Sequence, residues 1–253
     1  MTAVLHIADV SEFQDVNWPA YDSDAVILRA HNGARADSKF DAARVAGARA
    51  RCKVVGFYGY CRAGLDAAQQ GHDFAMTVKA VAGGLRPGEV GICDLEEGSG
   101  DQVARADAWA AAAQAVLSGP REWVYSGLFF RNQHLAGAAE PFWEAAYQGV
   151  EPHDRHILWQ HTDHEVHAGV SGPCDCSIFD GTVDDLYALI TNQTGGHPVA
   201  LTPADIQAVR QAVAQDLAIL QHGDSGTPGG GTHPHNLDAI SARVEQIAAK
   251  VGA

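Results

Sequence analysis

Eight short apolar runs spaced along one stretch of chain limit what this protein can fold into. They cover residues 4–9, 25–30, 53–60, 90–96, 122–126, 142–147, 156–160 and 174–178. Each is rich in β-branched or aromatic residues and bounded by Gly, Pro, Asp or Asn, which predicts strands. Helix-like segments at 41–51, 66–81 and 101–117 lie between several of them, the last rich in Ala and opened by acidic residues. Interleaved strands and helices over residues 1–191 predict an α/β fold, a TIM-like (β/α) barrel, with an open doubly wound sheet as the structural alternative. A chain of 253 residues is long enough for one large barrel domain or two smaller ones.

The character of the chain changes after Thr191. Residues 192–202, with Gly195, Gly196 and Pro198, read as a linker. Residues 203–253 read as two helices joined by a Gly-rich loop, giving the barrel a C-terminal α-helical extension. Thr202 and Pro203 open the first helix, where Ile206, Val209, Val213, Leu217 and Leu220 form a stripe. Leu237, Ile240, Val244, Ile247 and Val251 form a second stripe. Each stripe needs an apolar partner: the other helix in a hairpin, the barrel, or a second copy in a homo-oligomeric coiled coil.

The formal net charge is −14, and no basic stripe runs along the chain, which argues against nucleic acid as a partner. No apolar run approaches membrane-spanning length. Cys52, Cys61, Cys93, Cys174 and Cys176 are odd in number and scattered, a pattern of free thiols in a reducing cytoplasm. Residues 1–9 carry no basic segment followed by a long apolar one, so a cytoplasmic protein without a signal peptide is expected.

Carboxylates mark the ends of three apolar runs. Asp94 and Glu96, two apart in a predicted strand, are expected to project from one face about 7 Å apart along the backbone. Their repulsion raises the proton affinity of one of them, which suits a general acid. Taken alone, an Asp-x-Glu triplet is more often a solvated loop pair. Asp9 ends the first run, which in a parallel barrel is the face where sites are built; a turn or capping aspartate is the plainer reading. Asp175 stands before an apolar run, and Trp159-Gln160 offers a flat ring for a sugar, although a single Trp is more often core.

Taken in order, these motifs resemble glycoside hydrolase family 25, the Chalaropsis-type lysozymes of bacteria and phages. The resemblance runs from about residue 4 to 187. It rests on Asp9-Val10-Ser11 with Gln14 and Trp18, Gly56-Phe57-Tyr58-Gly59-Tyr60, Asp94-Leu95-Glu96, Trp143 with Tyr147, Trp159-Gln160 and Asp175. It implies an irregular α/β barrel that hydrolyses the β-1,4 bond between N-acetylmuramic acid and N-acetylglucosamine in peptidoglycan, with no cofactor. It further implies Glu96 as general acid and Asp94 as its partner, orienting the acetamido group or stabilising the charged intermediate. Asp9 and Asp175 then complete the catalytic acids. Tyr58, Tyr60 and Trp159 become aromatic walls, and Gln160, Tyr147 and Arg29 join them as substrate contacts. Two departures stand out. Arg29-Ala30-His31-Asn32-Gly33 lacks the acid the family often carries there, and Gly59 replaces a common His. A phage endolysin, made in the host cytoplasm and reaching the wall after release, is the setting this implies.

Two other classes compete. His161, Asp163, His164 and His167, with Cys174 and Cys176 following, hold ligand-type residues that a zinc amidase acting on the same wall could use, although the spacing matches no zinc motif. A non-catalytic wall-binding or virion barrel is the third class. It is disfavoured because all four acids are present.

Overall fold

The computed structural model describes residues 4–118, 122–138, 141–152 and 156–192. The linker and both C-terminal helices read from the sequence lie outside the described residues.

Nine strands and five α-helices make up the described chain: β1 (Val4–Val10), β2 (Ala25–Asn32), β3 (Arg35–Ala36), α1 (Ala42–Arg51), β4 (Val54–Tyr60), α2 (Ala67–Ala82), β5 (Glu89–Asp94), α3 (Val103–Gln114), β6 (Trp123–Gly127), α4 (Leu128–His134), β7 (Phe142–Ala145), β8 (Leu158–Glu165), β9 (Cys174–Asp180) and α5 (Val183–Asn192). Local chemistry starts the first two helices. The Asp41 carboxylate accepts from Arg44 N–H at 2.7 Å, and that of Asp66 from Gln69 N–H at 2.7 Å. Each satisfies a backbone donor that the first helical turn leaves free. Gly83, in the left-handed conformation, ends α2.

The sheet closes. In the order β1-β2-β4-β5-β6-β7-β8-β9 the last strand returns to the first, giving an eight-strand barrel with β3 as a hairpin appendage on β2. Closure removes the doubly wound alternative. Seven barrel strands run parallel, and β9 runs antiparallel to both neighbours. Among the described residues no helix lies between β7 and β8 or between β8 and β9, so the barrel is irregular there.

Strand alternation sorts side chains to two faces. Ile7, Ile27, Val54, Val90, Ile92, Trp123, Trp143 and Leu158 pack inside the barrel. Ala8, Val26, Leu28, Val55, Phe57, Cys93 and Val124 face outward and join Phe74 and Trp109 of α2 and α3 in a second core. Leu186 and Ile190 of α5 pack with the interior cluster near Ala25, Val54 and Val90, the starts of their strands. The N-terminal mouth is therefore plugged with apolar side chains. The opposite end is polar.

Candidate active site

Asp9, Asp94 and Asp175 meet at the polar end because of strand direction. Asp9 and Asp94 lie near the C-terminal ends of β1 and β5. Asp175 is the second residue of β9, and because β9 is reversed its beginning arrives at the same end. Register places Asp9 opposite Asp175, and Asp94 between Tyr60 and Tyr125. Glu96 departs from the sequence expectation. β5 stops at Asp94, so Glu96 stands in the following loop and is exposed instead of sharing a strand face with Asp94. The loop nevertheless returns its carboxyl to hydrogen-bonding contact with Asp94.

Burial dominates the electrostatics. Asp9 is held well above the usual carboxylate range, first by removal from water and then by the charge of Asp175, against an opposing hydrogen bond from Gln160. Asp94 is likewise raised, first by burial and then by Glu96. Its Oδ1 is buried with no hydrogen-bond partner among the described residues. Glu96 is raised too: partial desolvation of its carboxyl is the largest cause, opposed by the hydrogen bond with Asp94 and reinforced by Asp175 and Glu97. The four carboxyls therefore retain protons at a pH where isolated ones are ionised, and Asp94 and Glu96 titrate as a pair.

One amide organises the neighbouring wall. Gln160 Nε2 donates to Asp9 Oδ2 at 2.9 Å, while its Oε1 accepts from Tyr125 Oη at 2.7 Å and Tyr147 Oη at 2.8 Å. The two tyrosine hydroxyls thus aim the amide donor at Asp9. Trp143 is anchored below by its indole N–H on Ser177 Oγ at 2.7 Å, with its ring 4.3 Å from that of Tyr125. Sequence reading missed Tyr125. Its signal was alternation: it stands two residues after the interior Trp123 and one strand over from Asp94.

The remaining sequence candidates divide. Tyr58 is buried inside the barrel with Asp9, Asp94 and Asp175 close enough to raise its hydroxyl pKa after burial has done most of that. Tyr60 extends to the rim. Its hydroxyl donates to Glu97 Oε1 at 2.9 Å, and the Arg62 guanidinium lies 4.5 Å from its ring centre. Tyr147 is exposed, which leaves its ring open beside the acids. Arg29 carries its charge toward Asp94 but is held by Asp37 at 2.7 Å and Glu12 at 3.0 Å. Trp159 does not join the group. It sits between Leu158 and Gln160, which face inward, so its ring turns to the outer face; its indole N–H bonds Ala146 O at 2.8 Å beside His161. Gly59 also has a packing reason: a Cβ there would meet the Phe74 ring at 2.9 Å, so the outer face has no room for a His.

The ligand-type cluster near β8 comes apart in three dimensions. His167 stacks on Tyr21 at 4.8 Å and pairs with Asp22 at 3.3 Å, and His164 pairs with its neighbour Asp163. Neither belongs to the metal-type grouping found among the described residues, which joins His161 and Cys176 to His6. That grouping does not include the four acids.

The family described as Glycosyl hydrolases family 25 matches residues 8–170. The uncharacterized protein YegX of Escherichia coli K12 is 28% identical over 144 residues, 53% of this chain and 51% of YegX. The chain thus spans about half the length of the curated relatives it matches. The bacterial lysozyme from Streptomyces coelicolor superposes with a TM-score of 0.62 at 22% identity, over 76% of this chain and all of that one. The autolysin LytC from Streptococcus pneumoniae, solved with a synthetic peptidoglycan ligand, gives a TM-score of 0.59 at 18% identity, over 70% of this chain and 46% of that one. An irregular eight-strand barrel with its acids gathered at one mouth, matched over residues 8–170 by the family itself, establishes that this chain belongs to glycosyl hydrolases family 25.

Proposed function

We propose that this chain is a lysozyme, a 1,4-β-N-acetylmuramidase that cleaves peptidoglycan between N-acetylmuramic acid and N-acetylglucosamine. The observation that carries this reading is the gathering of Asp9, Asp94, Glu96 and Asp175 at one barrel mouth with raised proton affinities. Family membership supports it, as do a lysozyme and a peptidoglycan-bound autolysin among structures of the same fold.

Glu96 serves as the general acid. It is open to solvent and holds its proton to a higher pH than an ordinary glutamate, so it can protonate the glycosidic oxygen as the C1–O bond breaks. Asp94 Oδ1 has no hydrogen-bond partner among the described residues, and rotation of its carboxyl toward the mouth lets it accept the N–H of the substrate's acetamido group. Water then adds at C1, and Glu96 recovers a proton from it. A carboxylate left by proton loss from the cluster stabilises the positive charge that develops on the sugar ring. The exposed ring of Tyr147 and the partly buried ring of Tyr60 border the groove as stacking surfaces.

Mass analysis of digested peptidoglycan tests the reading. New reducing ends on N-acetylmuramic acid support it. Reducing ends on N-acetylglucosamine, or released stem peptides, contradict it. We place the activity in phage-induced host lysis. Co-expression with a phage membrane-pore protein tests that setting: cultures clear with the native chain and stay turbid with Glu96→Gln.

A further inference from the structure

The barrel's closing seam carries a group of donors that the carboxylate site does not use. His6 on β1, His161 on β8 and Cys176 on β9 each offer one ligand atom, all within 4.8 Å of one another. β9 lies between the other two strands, so the three donors span all three strands of the antiparallel seam. They lie behind the acids. Cys176 follows Asp175, His161 follows Gln160, and alternation turns them from the interior to the outer face.

We propose that His6, His161 and Cys176 form a zinc site that clamps β1, β8 and β9 together. Imidazole and thiolate are ligands that zinc takes in tetrahedral geometry, and three of them leave one position for water; copper takes the same two-His, one-Cys set when a weak axial ligand such as Met completes it. Calcium and magnesium prefer oxygen ligands and are poor fits. A tetrahedral zinc draws nitrogen and sulfur donors to about 3.5 Å of each other. All three donors lie within 4.8 Å of one another, so no pair has to close by more than about 1.3 Å, and the exposed His6 side chain is open to move toward the other two.

Three independent features single out this group. His161 Nε2 is buried with no hydrogen-bond partner among the described residues, which is costly unless something binds it. The register of β8 slips between Gln160 and Thr162, which makes His161 the extra residue of a bulge; bulges re-aim a side chain. Glu165 acts electrostatically on both His161 and Cys176, adding negative charge where a cation would sit. Cys176 is fully buried and His6 exposed, so one ligand anchors the site and the other opens a path for the ion.

The full chain, freed of metal with a chelator, is titrated with zinc ion by calorimetry and with cobalt(II) by absorption. One tight equivalent is expected, together with a thiolate-to-cobalt charge-transfer band. His6→Ala, at an exposed position that leaves folding intact, should weaken that equivalent by more than about 100-fold, since even outer-sphere partners of a metal are worth about 10- to 100-fold. Cys176→Ser should abolish the charge-transfer band. The proposal is overturned if the native chain takes up no zinc below millimolar concentration, or if His6→Ala binds as tightly as the native chain. Neither measurement reads cell-wall hydrolysis, so its outcome is independent of the lysozyme assignment.

Discussion

Asp9 and Asp175 face each other directly across the β1–β9 ladder, 166 positions apart in sequence and paired Cα to Cα. Antiparallel pairing brings such residues to about 5 Å, so the two carboxyls share a hydrogen bond instead of separating into solvent. The reversed direction of β9 creates this contact. A parallel ninth strand would have carried Asp175 to the plugged end of the barrel.

This crowding should cost stability at neutral pH. A carboxyl whose folded pKa is raised binds its proton more tightly in the folded chain. Its destabilising effect is absent below the unfolded pKa and grows as pH rises through the folded value. Asp9→Asn keeps the shape and removes the charge. Its melting temperature should exceed that of the native chain at pH 7, and the difference should shrink toward about pH 3, below the ordinary aspartate pKa of about 3.9. Thermal melts at both pH values check this. An equal or lower melting temperature at pH 7 would mean that Asp9 is not a strained carboxyl.

Glu96→Gln should remove the transferable proton with little effect on folding, because the residue is exposed and lies beyond the end of β5. Loss of general acid catalysis is worth about 10²- to 10⁴-fold in turnover. Release of reducing ends from purified walls measures it, with circular dichroism as the folding control. Turnover within a few-fold of native would assign the proton to another group.

The pH profile of turnover should reflect the coupled pair. Burial raises both Asp94 and Glu96, with Glu96 adding to Asp94, and Asp175 and Glu97 adding to Glu96 against its hydrogen bond with Asp94, so the pair keeps its proton above the ordinary glutamate value of about 4.3. Activity should persist through mildly acidic pH and decline on the alkaline side as that proton is lost. An alkaline limb centred near pH 4 would contradict the raised proton affinity.

Gly71 tests the packing that supports the site from behind. A Cβ at this position would meet the Trp109 carbonyl oxygen at 2.2 Å, where α2 and α3 touch backbone to backbone. Gly71→Ala gains about 1 kcal/mol of helix propensity but forces the helices apart. Overpacking costs about 1–3 kcal/mol, so a net loss is expected in urea unfolding. Unchanged or increased stability would show that the two helices yield without strain.

Local chemistry was legible from the start. The helical stretches read from Asp41 and Asp66 became helices that start one residue later with those aspartates as their caps, and apolar runs became strands whose starts fell within two residues of those read from the sequence. Such features depend on near neighbours and on which face of an element is buried, both of which short-range patterns record. The four acids were legible as motifs as well. The contacts among them were not. The direction of β9, the aim of Gln160 by two tyrosines, the outward turn of Trp159 and the meeting of His6 with Cys176 all arise from how distant strands register when the sheet closes. A one-residue shift in register sends a side chain to the other face, so residues that are neighbours only through closure leave no periodic trace in the chain.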